Sequence, residues 1–148
     1  MERKIMPTTW FLGFLAITIL LNFVIGEKRM IPFPYNQLGW IPVILGIAFN
    51  LWTDNLFKKH QTTVKPYLKP SCFIIKGPFC ISRNPMYLGM LFILAGTAIL
   101  LKSVLLILPS FFFVFIMESF YIRKEELYLK EQFGEDFLKY KLKVRRWL

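Results

Sequence analysis

The stretch from Lys76 to Gly89 holds the residues of this chain whose types and spacing best suit the binding of a small charged molecule. Asn84 is a favoured helix N-cap and Pro85 suits the first helical position, so a helix is predicted to begin there. The free N–H groups and the positive dipole end of that helix would lie beside Arg83. The segment therefore predicts a site for a polar, partly anionic molecule at the edge of a membrane.

A second set of polar residues shares one face of a predicted helix later in the chain. Glu118, Tyr121, Glu125 and Tyr128 follow one another at intervals of 3, 4 and 3 residues. A carboxylate at the rim of a bilayer is costly, so it normally faces protein, water or a ligand. A simpler interpretation pairs Glu118 with a nearby Lys or Arg, or leaves the helix outside the membrane. For Glu125 and Glu126 alone, the simpler interpretation is a solvated helix face.

The elements that must position these residues are predicted to be membrane helices. The chain has 148 residues, enough for a single domain, with 55% apolar residues, 16 Phe and a mean hydropathy of +0.48. The apolar residues form long runs rather than the spacing of a soluble helix. The sequence therefore predicts an all-α, polytopic membrane helical bundle with about four transmembrane helices and a cytoplasmic C-terminal helical tail.

The apolar runs define the predicted organisation. Pro66, Pro70 and Pro78 exclude a continuous helix between the second and third runs. The third and fourth runs are separated by only a residue or two, so they are predicted to form a tight antiparallel hairpin. Within one membrane domain covering 1–148, the predicted spans are 8–25, 38–57, 85–101 and 104–121, with cytoplasmic ligand-binding elements at 71–89 and 118–140.

The net charge of +10 is better explained by membrane topology than by nucleic-acid binding. Nearly all of the 19 Lys and Arg residues lie between or after the apolar runs. With a cytoplasmic N-terminus, 16 of them fall on one side of the membrane and 3 on the other, as the positive-inside rule requires. We therefore predict an integral, multi-pass membrane protein with cytoplasmic N- and C-termini, surrounded by membrane lipids and with no nucleic-acid partner.

Metal binding is not predicted. Cys72 and Cys80 are two isolated thiols and His60 is the only histidine, whereas a structural zinc site needs four ligands. If both thiols lie on the cytoplasmic side, a disulfide between them is not expected.

The predicted hairpin brings the two polar sets together, because the start of the third span lies beside the end of the fourth. One site would then combine helix N–H donors with an acidic wall and an apolar wall. Such a mixture fits a zwitterion that carries an aromatic base: its amino group would meet a glutamate, its carboxylate the helix N-terminus and its ring the apolar wall. The side chains expected there are Arg83, Tyr87, Glu125, Glu126, Phe73, Ile74 and Phe79.

Two motifs resemble a known pair of families. The first is Gly-Pro-Phe-x-x-x-Arg-Asn-Pro-Met-Tyr-Leu-Gly at 77–89. The second, Glu-Glu-x-x-Leu-x-x-x-Phe-Gly-x-x-Phe-x-x-Tyr, runs from 125 to 140. Both resemble the isoprenylcysteine carboxyl methyltransferase and phospholipid methyltransferase families, and the resemblance covers roughly residues 70–148. The first two spans carry no recognisable signature.

The resemblance implies a membrane methyltransferase that uses S-adenosyl-L-methionine and methylates a lipid-like or small apolar substrate entering from the bilayer. Several family members have His where this chain has Ser71 and Asn84; Asn84 can still donate and accept hydrogen bonds. The cofactor contacts implied by position are Ser71, Phe73, Ile74, Phe79, Asn84, Pro85, Met86, Tyr87, Glu125 and Glu126.

The chain departs from the family pattern at Tyr121. Prenylcysteine-type members carry an Arg at this position, where it holds the substrate carboxylate, and Arg123 lies on another face of the helix. Tyr121, the candidate substrate residue, suits an amine or ammonium headgroup better when it lies beside Glu118. The candidate catalytic residues are Arg83, Glu118 and Glu126, where either glutamate would take a proton from an ammonium nucleophile.

Two other functions fit parts of the sequence. A nicotinamide-dependent sterol-type reductase shares a distantly similar C-terminal pattern, although such chains are longer and have more spans. A small membrane scaffold or channel subunit with a basic cytoplasmic tail would treat 77–89 as an interfacial turn, with Arg83 reaching towards lipid phosphates. The methyl acceptor and the oligomeric state stay open at this point.

Overall fold

The computed structural model describes residues 5–25, 30–60 and 73–148, and every regular element within them is helical. This confirms the predicted all-α class for the described part of the chain. The α-helices are α1 Pro7–Ile25, α2 Trp40–Lys59, α3 Pro85–Leu100, α4 Leu108–Ile116 and α5 Arg123–Lys143. Short 3-10 helices precede three of them: Tyr35–Gly39 before α2, Gly77–Cys80 before α3 and Val104–Ile107 before α4. A π-helical segment, Met117–Ile122, joins α4 to α5.

The helix boundaries follow local sequence signals. Pro85 is the first residue of α3, as predicted from proline's fixed φ angle and missing N–H group. Pro109 lies within the first turn of α4 for the same reason, and the 3-10 turn precedes it. Gly134 interrupts α5 with φ 48° and ψ −118°, a backbone conformation that glycine adopts without steric cost. The chain therefore bends at Gly134.

Within the described residues, two helical stretches are long and apolar enough to cross a bilayer: α1 and the run Val104–Lys143. Helix α3 is apolar but has only 16 residues. Large apolar side chains on α1 and α4 point outwards and would contact lipid, among them Leu20, Phe23 and Phe111. These features support a membrane protein, while the count of four spans and the cytoplasmic termini stay predictions.

Helix α3 packs most extensively against α2, and glycines allow their backbones to approach. Gly46 of α2 faces Gly89 of α3: a Cβ at Gly46 would clash with the Gly89 carbonyl oxygen, and one at Gly89 would lie 2.7 Å from the Gly46 carbonyl oxygen. Seven residues from each of these glycines, a second pair makes the same approach: a Cβ at Gly39 would lie 2.6 Å from the Gly96 carbonyl oxygen. The glycines therefore set the distance between the two helices.

The other side of α3 forms the buried core with the helical run that begins at Val104. Helix α1 covers this core with partly buried aromatic side chains, and Phe14 meets Phe113 edge-on with ring centroids 6.2 Å apart. Because Tyr87 belongs to the core, the start of α3 is fixed beside the end of the apolar part of the 104–122 run. The core members are Tyr87, Met90, Leu94, Phe113, Met117, Tyr121 and Ile122.

Candidate active site

A direct hydrogen bond joins the two sequence motifs. The hydroxyl of Tyr87, in the first turn of α3, donates to Oε1 of Glu125 in the first turn of α5 at 2.6 Å. Tyr87 is buried and Glu125 half-buried. The antiparallel course of α3 and the 104–122 run brings these residues together, although 38 positions separate them.

Beside this pair lies a cluster of two guanidinium groups and two carboxylates. Arg83 Nη1 lies 3.0 Å from Glu126 Oε1, and Arg146 binds the same carboxylate through Nε at 3.0 Å and Nη2 at 2.9 Å. Arg146 Nη1 also donates to Glu118 Oε1 at 2.5 Å. The four charges compensate one another, so this cluster as a whole is neutral.

The two arginines have different environments. The side chain of Arg83 is only 9% exposed, and its buried Nε and Nη1 atoms have no hydrogen-bond partner of good geometry among the described residues. Burial lowers the pKa of Arg83, while the carboxylate of Glu126 opposes that shift. The hydrogen bond to Glu126 raises the pKa of Arg146, which is also less buried. Both groups carry a positive charge at neutral pH, because the guanidinium of an arginine is effectively always protonated in proteins.

Asn84 marks the start of α3 as predicted but does not cap it with its side chain. Its Nδ2 instead donates to the carbonyl oxygen of Arg146 at 3.0 Å, and its backbone N–H donates to Ser82 Oγ at 3.1 Å. An asparagine here could cap α3 with its side chain or bind an acceptor elsewhere. The C-terminal segment supplies that acceptor, and its proximity cannot be seen in the sequence pattern.

An aromatic groove lies between residues 73–80 and the second half of α5. Its volume is about 480 Å³, and Phe73, Cys80, Tyr140 and the side chains of Asp136 and Lys139 contribute to its lining. The rings of Phe73 and Tyr140 meet edge-on at 5.4 Å. Its lining combines aromatic and aliphatic side chains with three charged ones, a mixture compatible with an aromatic ligand that carries polar groups.

The other predicted cofactor residues differ in burial and in their contacts. Phe79 accepts a 2.6 Å hydrogen bond at its carbonyl oxygen from the Tyr140 hydroxyl and packs edge-on against Phe57. Pro85 is buried, whereas Ile74 and Met86 are half-buried. Ser71 lies outside the described residues.

Tyr121, the candidate substrate residue, makes contacts that leave its hydroxyl little freedom. This hydroxyl donates to the carbonyl oxygen of Ile5 at 2.5 Å and accepts from Trp10 Nε1 at 3.1 Å. It therefore ties the N-terminal segment and α1 to the π-helical segment, while the neighbouring Glu118 is bound by Arg146.

Tyr121→Phe is expected to lower the thermal stability of the detergent-solubilised protein by several degrees. The change removes two hydrogen bonds of about 1 kcal/mol each while leaving the buried ring in place. Tyr128→Phe is the matched control, because the Tyr128 ring is more exposed. Thermal unfolding curves recorded in the same detergent compare the variants, and equal midpoints for both would contradict the assigned role of the Tyr121 hydroxyl.

Arg146 is the main site residue that sequence reasoning missed, because nothing in the sequence distinguishes it from the other basic residues near the C-terminus. The simpler interpretation, in which Glu118 pairs with a Lys or Arg, agrees with the ion pair between Glu118 and Arg146. It did not identify the partner, because 28 residues separate Arg146 from Glu118 and no helical spacing relates them. Trp10 was also missed, because 111 residues separate it from Tyr121, its hydrogen-bond partner.

The described part of the chain is thus all-helical with exposed apolar helix faces, and its polar site lies where α3 and α5 begin. The family model for phospholipid methyltransferases matches residues 35–136, which is more than half of the chain. The chain belongs to the phospholipid methyltransferase family, and the resemblance drawn from the two motifs is confirmed. A membrane methyltransferase is therefore its general class.

A protein of Haemophilus influenzae (strain ATCC 51907 / DSM 11121 / KW20 / Rd), described as uncharacterized, is 41% identical to this chain over 63 residues. The aligned segment is 43% of this chain and the whole of that protein. No solved structure matches the chain.

Proposed function

We propose that this protein transfers a methyl group from S-adenosyl-L-methionine to a lipid-like or small apolar substrate in the membrane. The observation that carries the proposal is the 2.6 Å hydrogen bond between Tyr87 and Glu125. It joins the two family motifs at one point and orients a carboxylate where the α3 helix begins.

The residues present fit this cofactor. Glu125 would hold its amino group, and Tyr87 would orient Glu125 for that contact. The start of α3, with the cationic Arg83 close by, favours its carboxylate. The aromatic groove beside Phe73 and Tyr140 suits its adenine ring. When bound, the sulfonium centre supplies an electrophilic methyl group, and the protein's part is to align the substrate and exclude water.

Glu118 and Glu126, the two candidate bases, both bind arginine side chains. Glu126 is bound by Arg83 and Arg146, and Glu118 is bound by Arg146. A carboxylate whose oxygens bind a guanidinium has fewer free lone pairs to offer to a substrate proton. We therefore assign Glu118 and Glu126 to holding the site together, and favour a substrate whose nucleophile arrives without a proton to remove.

The surroundings of the site support the proposed substrate class. Exposed apolar side chains on α1 and α4 would let a lipid-like molecule approach from the bilayer. An amine-binding pocket made by Tyr121 and Glu118 is less favoured, because both side chains already have protein partners. The proposal therefore stays with a lipid-like or small apolar methyl acceptor.

Calorimetry on the purified protein tests the cofactor. Titration with S-adenosylhomocysteine is expected to give a dissociation constant in the micromolar range, typical of enzyme ligands, and NADPH is expected to give no heat. A radiolabelled methyl-transfer assay on host membrane extract would then identify the acceptor. Binding of NADPH in place of S-adenosylhomocysteine would favour the reductase, and binding of neither would favour a scaffold or channel subunit.

A further inference from the structure

Residues 144–148, here termed the C-terminal clasp, run beside the loop that leads into α3. The backbone leaves α5 in an extended conformation at Val144, with φ −123° and ψ 130°. Two successive carbonyl oxygens of the clasp then accept hydrogen bonds from three consecutive loop residues. The pairs are Arg83 N–H to Arg145 O at 3.0 Å, Ser82 Oγ to Arg146 O at 3.1 Å and Asn84 Nδ2 to Arg146 O at 3.0 Å.

The side chain of Arg146 reaches the other wall of the site. It binds both oxygens of Glu126 in a bidentate arrangement and binds Glu118 with its remaining nitrogen. One residue thus holds the loop before α3 through its carbonyl group and the carboxylate-bearing helical run through its guanidinium. Bidentate pairs of this kind fix orientation as well as distance.

Two further contacts anchor the clasp. Trp147 packs against the buried core that contains Tyr87 and Tyr121. Arg83 shares the carboxylate of Glu126 with Arg146, so the position of the buried Arg83 depends on where Arg146 holds that carboxylate. The clasp lies beyond residues 35–136, the part matched by the family model.

We propose that Arg146 is a positioning residue that keeps the start of α3 and the start of α5 at the spacing required for ligand binding. It acts through Glu126 and, beyond it, Arg83, and it does not contact the ligand. The proposal rests on the proposed function for its ligand, S-adenosylhomocysteine, but the restraint on the loop before α3 exists without any ligand.

The first test compares Arg146→Met with Lys130→Met, which also removes one positive charge but from an exposed position of α5. Hydrogen–deuterium exchange of the ligand-free protein is expected to speed up in residues 82–90 for Arg146→Met and to stay at the wild-type rate for Lys130→Met. Arg146→Lys keeps the charge without the bidentate geometry, so it should give an intermediate rate. Wild-type exchange in residues 82–90 of Arg146→Met would overturn the proposal.

The second test measures S-adenosylhomocysteine affinity in a double-mutant cycle with Glu126→Gln. Arg146→Met alone is expected to weaken binding roughly tenfold, in the range of coupling within one ion-pair network. In the Glu126→Gln background the same change should have little further effect, because Arg146 acts through that carboxylate. Additive losses would show that Arg146 acts by another route and would overturn the proposed pathway.

The two tests separate the clasp from the proposed function. If the wild-type protein binds no S-adenosylhomocysteine, the proposed function fails, and the exchange comparison on the ligand-free protein still decides the clasp. If Arg146→Met does not yield folded protein, the exchange rates and affinity of Arg146→Lys take its place. A wild-type result for Arg146→Lys in both measurements would then count against a role for the bidentate geometry.

Discussion

Glu125→Ala is expected to weaken S-adenosylhomocysteine binding roughly a hundredfold, because losing one partner of a buried charge pair costs about 2–5 kcal/mol. In the free protein Glu125 is half-buried and is oriented by Tyr87 at 2.6 Å. The carboxylate is therefore already directed when the amino group of the ligand arrives. Isothermal titration calorimetry on wild type and variant measures the change.

Matched variants make this prediction specific. Tyr87→Phe keeps the buried ring but removes the hydrogen bond that orients Glu125, so binding should weaken by a smaller factor, on the order of tenfold. Glu131→Ala removes an exposed carboxylate from the same helix and should leave affinity at the wild-type value. If Glu125→Ala and Glu131→Ala bind equally well, Glu125 does not hold the cofactor.

The second large effect is expected from Gly46→Ala, which should destabilise the protein by about 1–3 kcal/mol or prevent folding. The added methyl would clash with the Gly89 carbonyl oxygen and lie 2.8 Å from Ile93 Cγ1, and the backbone of α3 would have to move. Since α3 carries Tyr87, the same shift should weaken ligand binding. Thermal unfolding in detergent measures the stability change.

Gly13→Ala provides the control for helix propensity. Gly13 lies in α1, and a Cβ there would meet no atom within 4 Å. Replacing glycine by alanine in a helix is favourable by about 1 kcal/mol when there is room, so a stable or slightly more stable variant is expected. A Gly46→Ala variant as stable as Gly13→Ala would show that α2 and α3 do not pack as closely as described.

Much of the fold was predictable because its signals are local. Apolar runs and proline positions predicted α1 at Pro7–Ile25 and α3 at Pro85–Leu100 to within a residue or two. The last predicted span, 104–121, has a less regular structure: a 3-10 turn, α4 and a π-helical segment. Run length and hydropathy do not distinguish 3-10, α and π hydrogen-bonding patterns, so the sequence could not predict where one changes to the next.

The candidate site was predictable in part. The predicted hairpin places Tyr87 and Arg83 near Glu125 and Glu126, and the structure brings these residues together. The side-chain cap by Asn84 was not formed, because the amide binds the carbonyl oxygen of Arg146 instead. Which partner the Asn84 side chain binds depends on which segments of the chain meet in the fold. The sequence around Asn84 does not indicate that the C-terminal clasp lies beside it.

The sequence by itself determined the class of helices, the start of α3 and the two motifs that identify the methyltransferase family. These follow from hydrophobicity, capping preferences and residue spacing, all of which act over a few positions. Only the tertiary structure decided which charges compensate one another, and so turned Glu118 and Glu126 from candidate bases into partners of Arg146. The physical reason is that an ion pair depends on the distance between its groups in space, and the folded path of the whole chain sets that distance.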